Sequence, residues 1–305
     1  MIATFILPSV TAAHTVPAFD LQAHSTYSDG ALAPAAVVAL AARGGIELLA
    51  LTDHDTVDGV PEALTAAAER GMRLSPAAEL SSVHGDHEDL HVLGYELDHR
   101  DAALRDSLAD FREDRGRRVQ AMADRLRELG LELDDGPLEE RRAAGLPLGR
   151  PHLADAVLAH PANAGRLREE GIEGRDALFP AYLVPGAPAY VRRTRPTVAE
   201  AIRVIHAAGG VAVWAHPFWD VADPAAVLAA IDAFRSDGLD GVEVFYATHT
   251  REQTLLLDDA CAERGLLATG STDFHAPDHE RFAAFGGFEL HGRSPRLGPI
   301  GAGKG

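Results

Sequence analysis

The run Asp20-Leu21-Gln22-Ala23-His24-Ser25-Thr26-Tyr27-Ser28-Asp29-Gly30 sets an imidazole and a carboxylate just past a short apolar stretch. About one strand-helix unit later comes Thr52-Asp53-His54-Asp55. The pattern returns at Glu79, in Ala77-Ala78-Glu79, and at His91, inside Leu90-His91-Val92-Leu93-Gly94. It returns again at His216, in Trp214-Ala215-His216-Pro217, and at Asp273 and His275, in Ser271-Thr272-Asp273-Phe274-His275. Neutral imidazoles with carboxylates suit Zn²⁺, Fe²⁺ or Mn²⁺ better than Mg²⁺ alone. Two such ions bring a shared water to near-neutral pKa and steady both the attacking and the leaving oxygen of a displacement. Asp273 and His275, two apart in an extended segment, can point the same way. The chemistry these residues suggest is metal-dependent hydrolysis.

Delivering them from strand ends requires alternating strands and helices, and the chain has that alternation. A strand ends near Leu21, and a helix over about 34–43 stops at Gly44-Gly45. The run Glu47 to Thr52 reads as a strand, and a helix follows from near Pro61 to Gly71. Further strands are expected through Leu74, over 91–95, 211–215, 241–245 and 266–269. Thr197-Val198-Ala199-Glu200 is a capping box that starts a helix ending at Gly209-Gly210. Such units imply a parallel sheet with right-handed crossovers. Ligands from nearly every strand converge more readily at the carboxyl rim of a closed barrel than along an open sheet.

The rhythm breaks between about Asp101 and Pro188, where apolar positions such as Leu104, Leu108, Phe111, Val119, Met122 and Leu126 follow helical spacing. The expected organisation is an N-terminal extension over 1–17 and barrel segments over 18–100 and 196–292. A helical insertion fills 101–195, and a Gly/Pro-rich disordered tail covers 293–305.

Composition narrows the partners. Twenty-eight Lys and Arg stand against 46 Asp and Glu, a formal net charge of −18, which repels the phosphates of a long duplex. Small phosphorylated molecules fit, because bound cations set the local potential. The lone Cys261, in a helical run, reads as a buried structural thiol and fits a reducing cytoplasm. No apolar stretch is long enough to cross a bilayer, and Met1 to Val10 has no basic n-region.

Taken in order from about Phe19 to His275, these segments resemble the polymerase and histidinol phosphatase superfamily, PHP. The likeness is to its phosphoesterases acting on nucleoside bisphosphates and on 5′ ends of short RNA. The resemblance implies an α/β fold, a distorted (β/α)7 barrel with a helical insertion, and two or three divalent ions (Mn, Fe or Zn, with Mg as a further option). The metal ligands it implies are His24, Asp29, His54, Glu79, His91, His216, Asp273 and His275, with Glu79 bridging two ions. Among these, His24, His54, Glu79, His216 and Asp273 carry the catalytic role, in which metal-bound hydroxide attacks phosphorus. By the same likeness Arg150 and His152, in Gly149-Arg150-Pro151-His152, contact phosphate. Gln22 departs from the pattern by standing where the first histidine of His-x-His belongs. Its amide oxygen is a weaker ligand for a borderline metal, so the position it shares with His24, Glu79 and Asp273 is expected to be weakly held or to take a harder cation.

His249 lies at a rim position where it can touch substrate, whereas His84 and His87 read as a solvated loop. Asp53 is a candidate support for the ligands rather than a ligand itself. The expected substrate is a nucleoside 3′,5′-bisphosphate or a short 5′-phosphorylated oligonucleotide. A histidinol-phosphate phosphatase and a cyclic phosphodiesterase are rivals on the same site. A catalytically weak phospholigand-binding module, suggested by Gln22 alone, is the rival of another class.

Overall fold

A computed structural model describes residues 17–146 and 148–302. Apart from Pro17, the expected N-terminal extension lies outside the described residues.

Two sheets form the scaffold. β1 (Phe19–Asp20), β2 (Leu48–Leu51) and β3 (Arg73–Pro76) make a parallel sheet. The helices α1 (Pro34–Arg43) and α2 (Val60–Ala68) connect these strands. The second sheet has the order β4 (Ala78–His84), β5 (His87–Tyr95), β6 (Val211–Trp214), β7 (Gly241–Tyr246), β8 (Leu267–Ser271). The all-parallel expectation fails here, because β5 runs antiparallel to both β4 and β6. Gly85, at φ 58°, turns the chain between β4 and β5, a left-handed conformation that glycine takes without steric cost. His84 and His87 flank that turn and are exposed, in keeping with the solvated reading.

The sheets meet at two seams. At one, Leu21 N–H donates to Gly270 O at 3.2 Å, and His24 N–H donates to Phe274 O at 2.8 Å. At the other, His54 and Glu79 form a parallel bridge, with Asp55 N–H donating to Glu79 O at 2.9 Å. A seam is where two strand ends deliver side chains to one point.

Between β5 and β6 the chain is helical. Asp101 caps the 27-residue α3 (Ala102–Glu128) by accepting Leu104 N–H at 2.8 Å. Then come α4 (Asp135–Ala143), α5 (Arg150–Ala159), α6 (Ala164–Glu169) and α7 (Arg175–Leu178). These helices share an apolar cluster of their own, including Val119, Met122, Leu126, Leu153, Val157 and Leu178. α8 (Val198–Ala207) starts at the expected capping box, Thr197 with Glu200. α9 (Pro217–Asp220), α10 (Pro224–Ser236) and α11 (Arg251–Arg264) complete the strand connections. Cys261 is buried in α11, and Trp214, Phe234 and Phe245 fill the main core.

The expectation of a disordered end is corrected over residues 293–302. Arg296 bridges Ala268 of β8 through its backbone and pairs with Asp258 at 2.6 Å. α12 (Pro299–Ala302) then buries Ile300. The cation and the apolar anchor outweigh the loop-forming composition. Among the described residues no helix is long and apolar enough to cross a membrane.

Candidate metal centre

The loop after β1 brings His24 inward. Gly30 closes back on it so tightly that a Cβ there would meet His24 O at 2.3 Å, which admits only glycine. Asp53 fastens the same loop by accepting Ser25 N–H, Ser25 Oγ–H and Ser28 Oγ–H, each at 2.7 Å. It therefore supports the His24 loop rather than its neighbour His54. His216 and Asp273 sit at φ 28° and 58°, unusual for residues with side chains. Such strain persists where surrounding contacts over-determine it, and it is frequent at functional sites.

All eight residues expected to be ligands fall into one cluster. His24 Nε2 lies 3.1 Å from both Glu79 Oε2 and Asp273 Oδ1. His54 Nδ1 lies 3.5 Å from Glu79 Oε2, and His54 Nε2 lies 3.5 Å from Asp29 Oδ2. The other Glu79 oxygen, Oε1, is 2.6 Å from His91 Nδ1 and 3.2 Å from His216 Nε2. His275 Nε2 is 3.6 Å from Asp29 Oδ1. Three sets of donor atoms converge closely enough for one cation each: His24, Asp29, His54 and His275; His54, Glu79 and His91; and His24, Glu79 and Asp273.

These residues fit a metal. His24 Nε2, Asp29 Oδ1, His54 Nδ1, Glu79 Oε2 and Asp273 Oδ1 are buried and have no hydrogen-bond partner. Leaving so many buried polar atoms unpaired is costly, and a cation satisfies them together. Burial would raise the Glu79 carboxyl, but His91 and His54 outweigh it and hold it well below the usual range. Asp29 is likewise depressed against its burial by His54, His275 and His24. Burial would raise Asp273 too, yet His275 and His24 bring it down to about 2, so all three carboxylates stay anionic, a charge that divalent ions neutralise.

The other expected residues lie around this cluster. His152 joins Ser28, Asp29, His54, Arg115, Leu148 and Gly149 in lining a narrow cleft. Its Nδ1 accepts Gly149 N–H at 3.1 Å, and burial lowers its pKa to about 4. Arg150 is engaged elsewhere, 3.1 Å from Asp89 Oδ2 and donating to Leu183 O at 3.3 Å. Burial would raise Asp89, yet Arg150, Arg118 and Arg193 bring it down to about 2. His249 is one ring removed from the cluster, 5.3 Å from Tyr246, which is 5.3 Å from His216. Gln22 is fully buried, with Oε1 3.4 Å from Ser271 Oγ and Nε2 unpartnered.

Several residues at the site escaped the sequence reading. Tyr246 donates its hydroxyl to Asp273 Oδ2 at 2.9 Å. Arg115 reaches Asp55 Oδ2 at 3.0 Å, and Arg141 donates to Ser28 O. Glu243 accepts His216 N–H at 2.9 Å, and burial raises its carboxyl to about 8. A glutamate inside the apolar run Gly241-Val242-Glu243-Val244-Phe245 was a readable signal. The arginines gave none, because their contacts cross long sequence separations.

Residues 20–131 match the PHP domain. The chain is 34% identical over 262 residues to a 3′,5′-nucleoside bisphosphate phosphatase of Chromobacterium violaceum, covering 85% of this chain and 87% of the relative. It is 31% identical over 263 residues to the 5′-3′ exoribonuclease Rnm of Escherichia coli, covering 85% of each. Among solved structures, a Bifidobacterium adolescentis protein regarded as a metal-dependent phosphoesterase superposes with a TM-score of 0.71 at 30% identity, over 86% of this chain and 89% of the other.

Proposed function

The chain belongs to the PHP family, and on that footing we propose that it hydrolyses phosphate esters of small phosphorylated molecules with divalent ions held around Glu79. The observation that carries the proposal is the Glu79 carboxylate, whose two oxygens face different histidines, His24 and His54 on one side and His91 and His216 on the other. A bridging carboxylate is what a multinuclear centre needs. The ligand set is His24, Asp29, His54, Glu79, His91, His216, Asp273 and His275, holding two or three ions of Mn, Fe or Zn, with Mg as a further option. When bound, such ions supply a nucleophile at neutral pH and offset charge on the transferring phosphoryl group.

The protein's own groups do the rest. Asp53 and Gly30 fix the His24 loop, and Tyr246 orients Asp273 by its hydrogen bond. Arg115 and His152 line the cleft beside Asp29 and His54, where a phosphate oxygen would find donors. Neutral His152 would donate from Nε2, since Nδ1 already accepts a backbone N–H. Arg150, fixed by Asp89, would present its remaining guanidinium edge to a phosphate oxygen.

The same reading extends to the architecture. β3 and β4 are separated only by Ala77 and count as one bent strand. With the two seams, the sheets then make a distorted (β/α)7 barrel, into which residues 101–195 insert as a helical unit between barrel segments 18–100 and 196–292. The buried thiol of Cys261 fits a cytoplasmic setting.

The favoured substrate is a nucleoside 3′,5′-bisphosphate or a short 5′-phosphorylated oligonucleotide, by likeness to the two named relatives. Phosphate release should be followed on adenosine 3′,5′-bisphosphate, AMP, histidinol phosphate and a cyclic phosphodiester, with Mn²⁺ and with a chelator. Chelator-sensitive turnover fastest on the bisphosphate is expected. Faster turnover of histidinol phosphate or the cyclic diester would replace the substrate. Silence on all of them with metal bound would favour a binding module.

A further inference from the structure

Trp219 is the one large apolar side chain exposed among the described residues, with 49% of its surface open to solvent. A lone exposed apolar residue needs no explanation. This one continues an aromatic wall that begins inside the metal centre. Tyr246, bonded to Asp273, lies 6.0 Å from the Phe282 ring, and Phe282 lies 5.8 Å from both His275 and Trp219. Trp219 follows His216 by three residues and donates its backbone N–H to the His216 carbonyl at 2.8 Å. Its place at the mouth is therefore fixed by the turn that presents His216. The Arg281 guanidinium lies 6.0 Å from the indole centroid.

We propose that Trp219, backed by Phe282 and Arg281, is a stacking platform for the nucleobase of the substrate, an inference that rests on the phosphoesterase reading of the adjoining centre. The occupant follows from chemistry. A phosphate held at the metal centre leaves the rest of the molecule to extend toward solvent. The wall beside it offers flat apolar faces, and a planar heterocycle covers such faces without needing one particular pattern of hydrogen bonds. Arg281 adds a cation on the ring and donors for a heterocycle edge. The platform would separate nucleotides from phosphate esters that lack a base, such as histidinol phosphate or ribosyl phosphates.

The chain has two tryptophans, and the other, Trp214, is fully buried against Phe234. Intrinsic fluorescence thus reports ligand contact at Trp219. In Mn²⁺-loaded protein, AMP is expected to quench saturably, whereas ribose 5-phosphate leaves the emission unchanged. In inhibition or direct binding assays, Trp219→Ala should lower the preference for AMP over ribose 5-phosphate about tenfold, which corresponds to ~1.4 kcal/mol. Trp219→Phe, which keeps a π face, should restore most of it. Equal quenching by both ligands, or an unaltered preference in Trp219→Ala, would overturn the platform. So would a concentration-dependent dimer that Trp219→Ala dissolves, since the indole would then be covered by a second copy. If the preference holds but no ester is hydrolysed, the platform stands and the hydrolase reading falls. If bisphosphate is hydrolysed without any preference for a base, the reverse is true.

Discussion

Glu79 offers a different oxygen to each side of the cluster, with Oε2 3.1 Å from His24 Nε2 and Oε1 2.6 Å from His91 Nδ1. Replacing it with glutamine keeps the volume and removes both the charge and one acceptor. Glu79→Gln should lose at least one bound ion per chain by elemental analysis. Turnover should fall by about 100-fold or more, the scale of losing a principal charge-stabilising group. Full metal content in this variant would place the ions elsewhere.

Asp53 acts at one remove. It accepts three hydrogen bonds that hold the loop carrying His24, and an asparagine can accept at only one of its two side-chain atoms. Asp53→Asn is expected to weaken metal binding about 10- to 100-fold, as loss of a supporting partner commonly does. Excess Mn²⁺ should bring kcat back. A kcat that stays low at saturating metal would make Asp53 a direct participant.

Gln22 is buried, holds a long contact to Ser271, and leaves its amide nitrogen unpaired. An imidazole in its place would add a better ligand near His24 and Asp273. Gln22→His should therefore raise manganese bound per chain, read by elemental analysis after gel filtration. Unchanged content together with unchanged activity would show that the glutamine costs the centre nothing.

Acid should destabilise the fold through two half-buried neutral histidines. Burial lowers His249 and His152 to about 4, below the ordinary imidazole value. Between that value and about 6.5 the unfolded chain binds protons that the folded chain does not, so stability falls as pH falls, by up to ~1.4 kcal/mol per pH unit for each group. Above that window both states are neutral and the contribution is complete. Urea unfolding between pH 7 and pH 5 should show a shallower slope for His249→Phe than for wild type. Parallel slopes would mean that His249 is protonated alike in both states.

Strand-end chemistry was legible because the ligands follow apolar runs, and the Thr197 box marked a helix start that the fold uses. The β4–β5 hairpin was missed because Glu79, Ser81, Ser82 and His84 interrupt β4 and the start of β5 is His87-Glu88-Asp89, so only the apolar end of β5 stood out as a strand. The end of the chain was misread for a different reason. Arg296 is held by Asp258, 38 residues away, and composition carries no record of that pairing. Arg115 and Arg141 were hidden in the same way, on helices whose charged faces look merely solvated.

The most direct test of the account is anomalous diffraction from crystals grown with Mn²⁺. The account predicts at least two peaks flanking the Glu79 carboxylate, one against His24 and Asp273 and another against His54 and His91. A map with no peak touching Glu79, from protein shown to contain manganese, would contradict it.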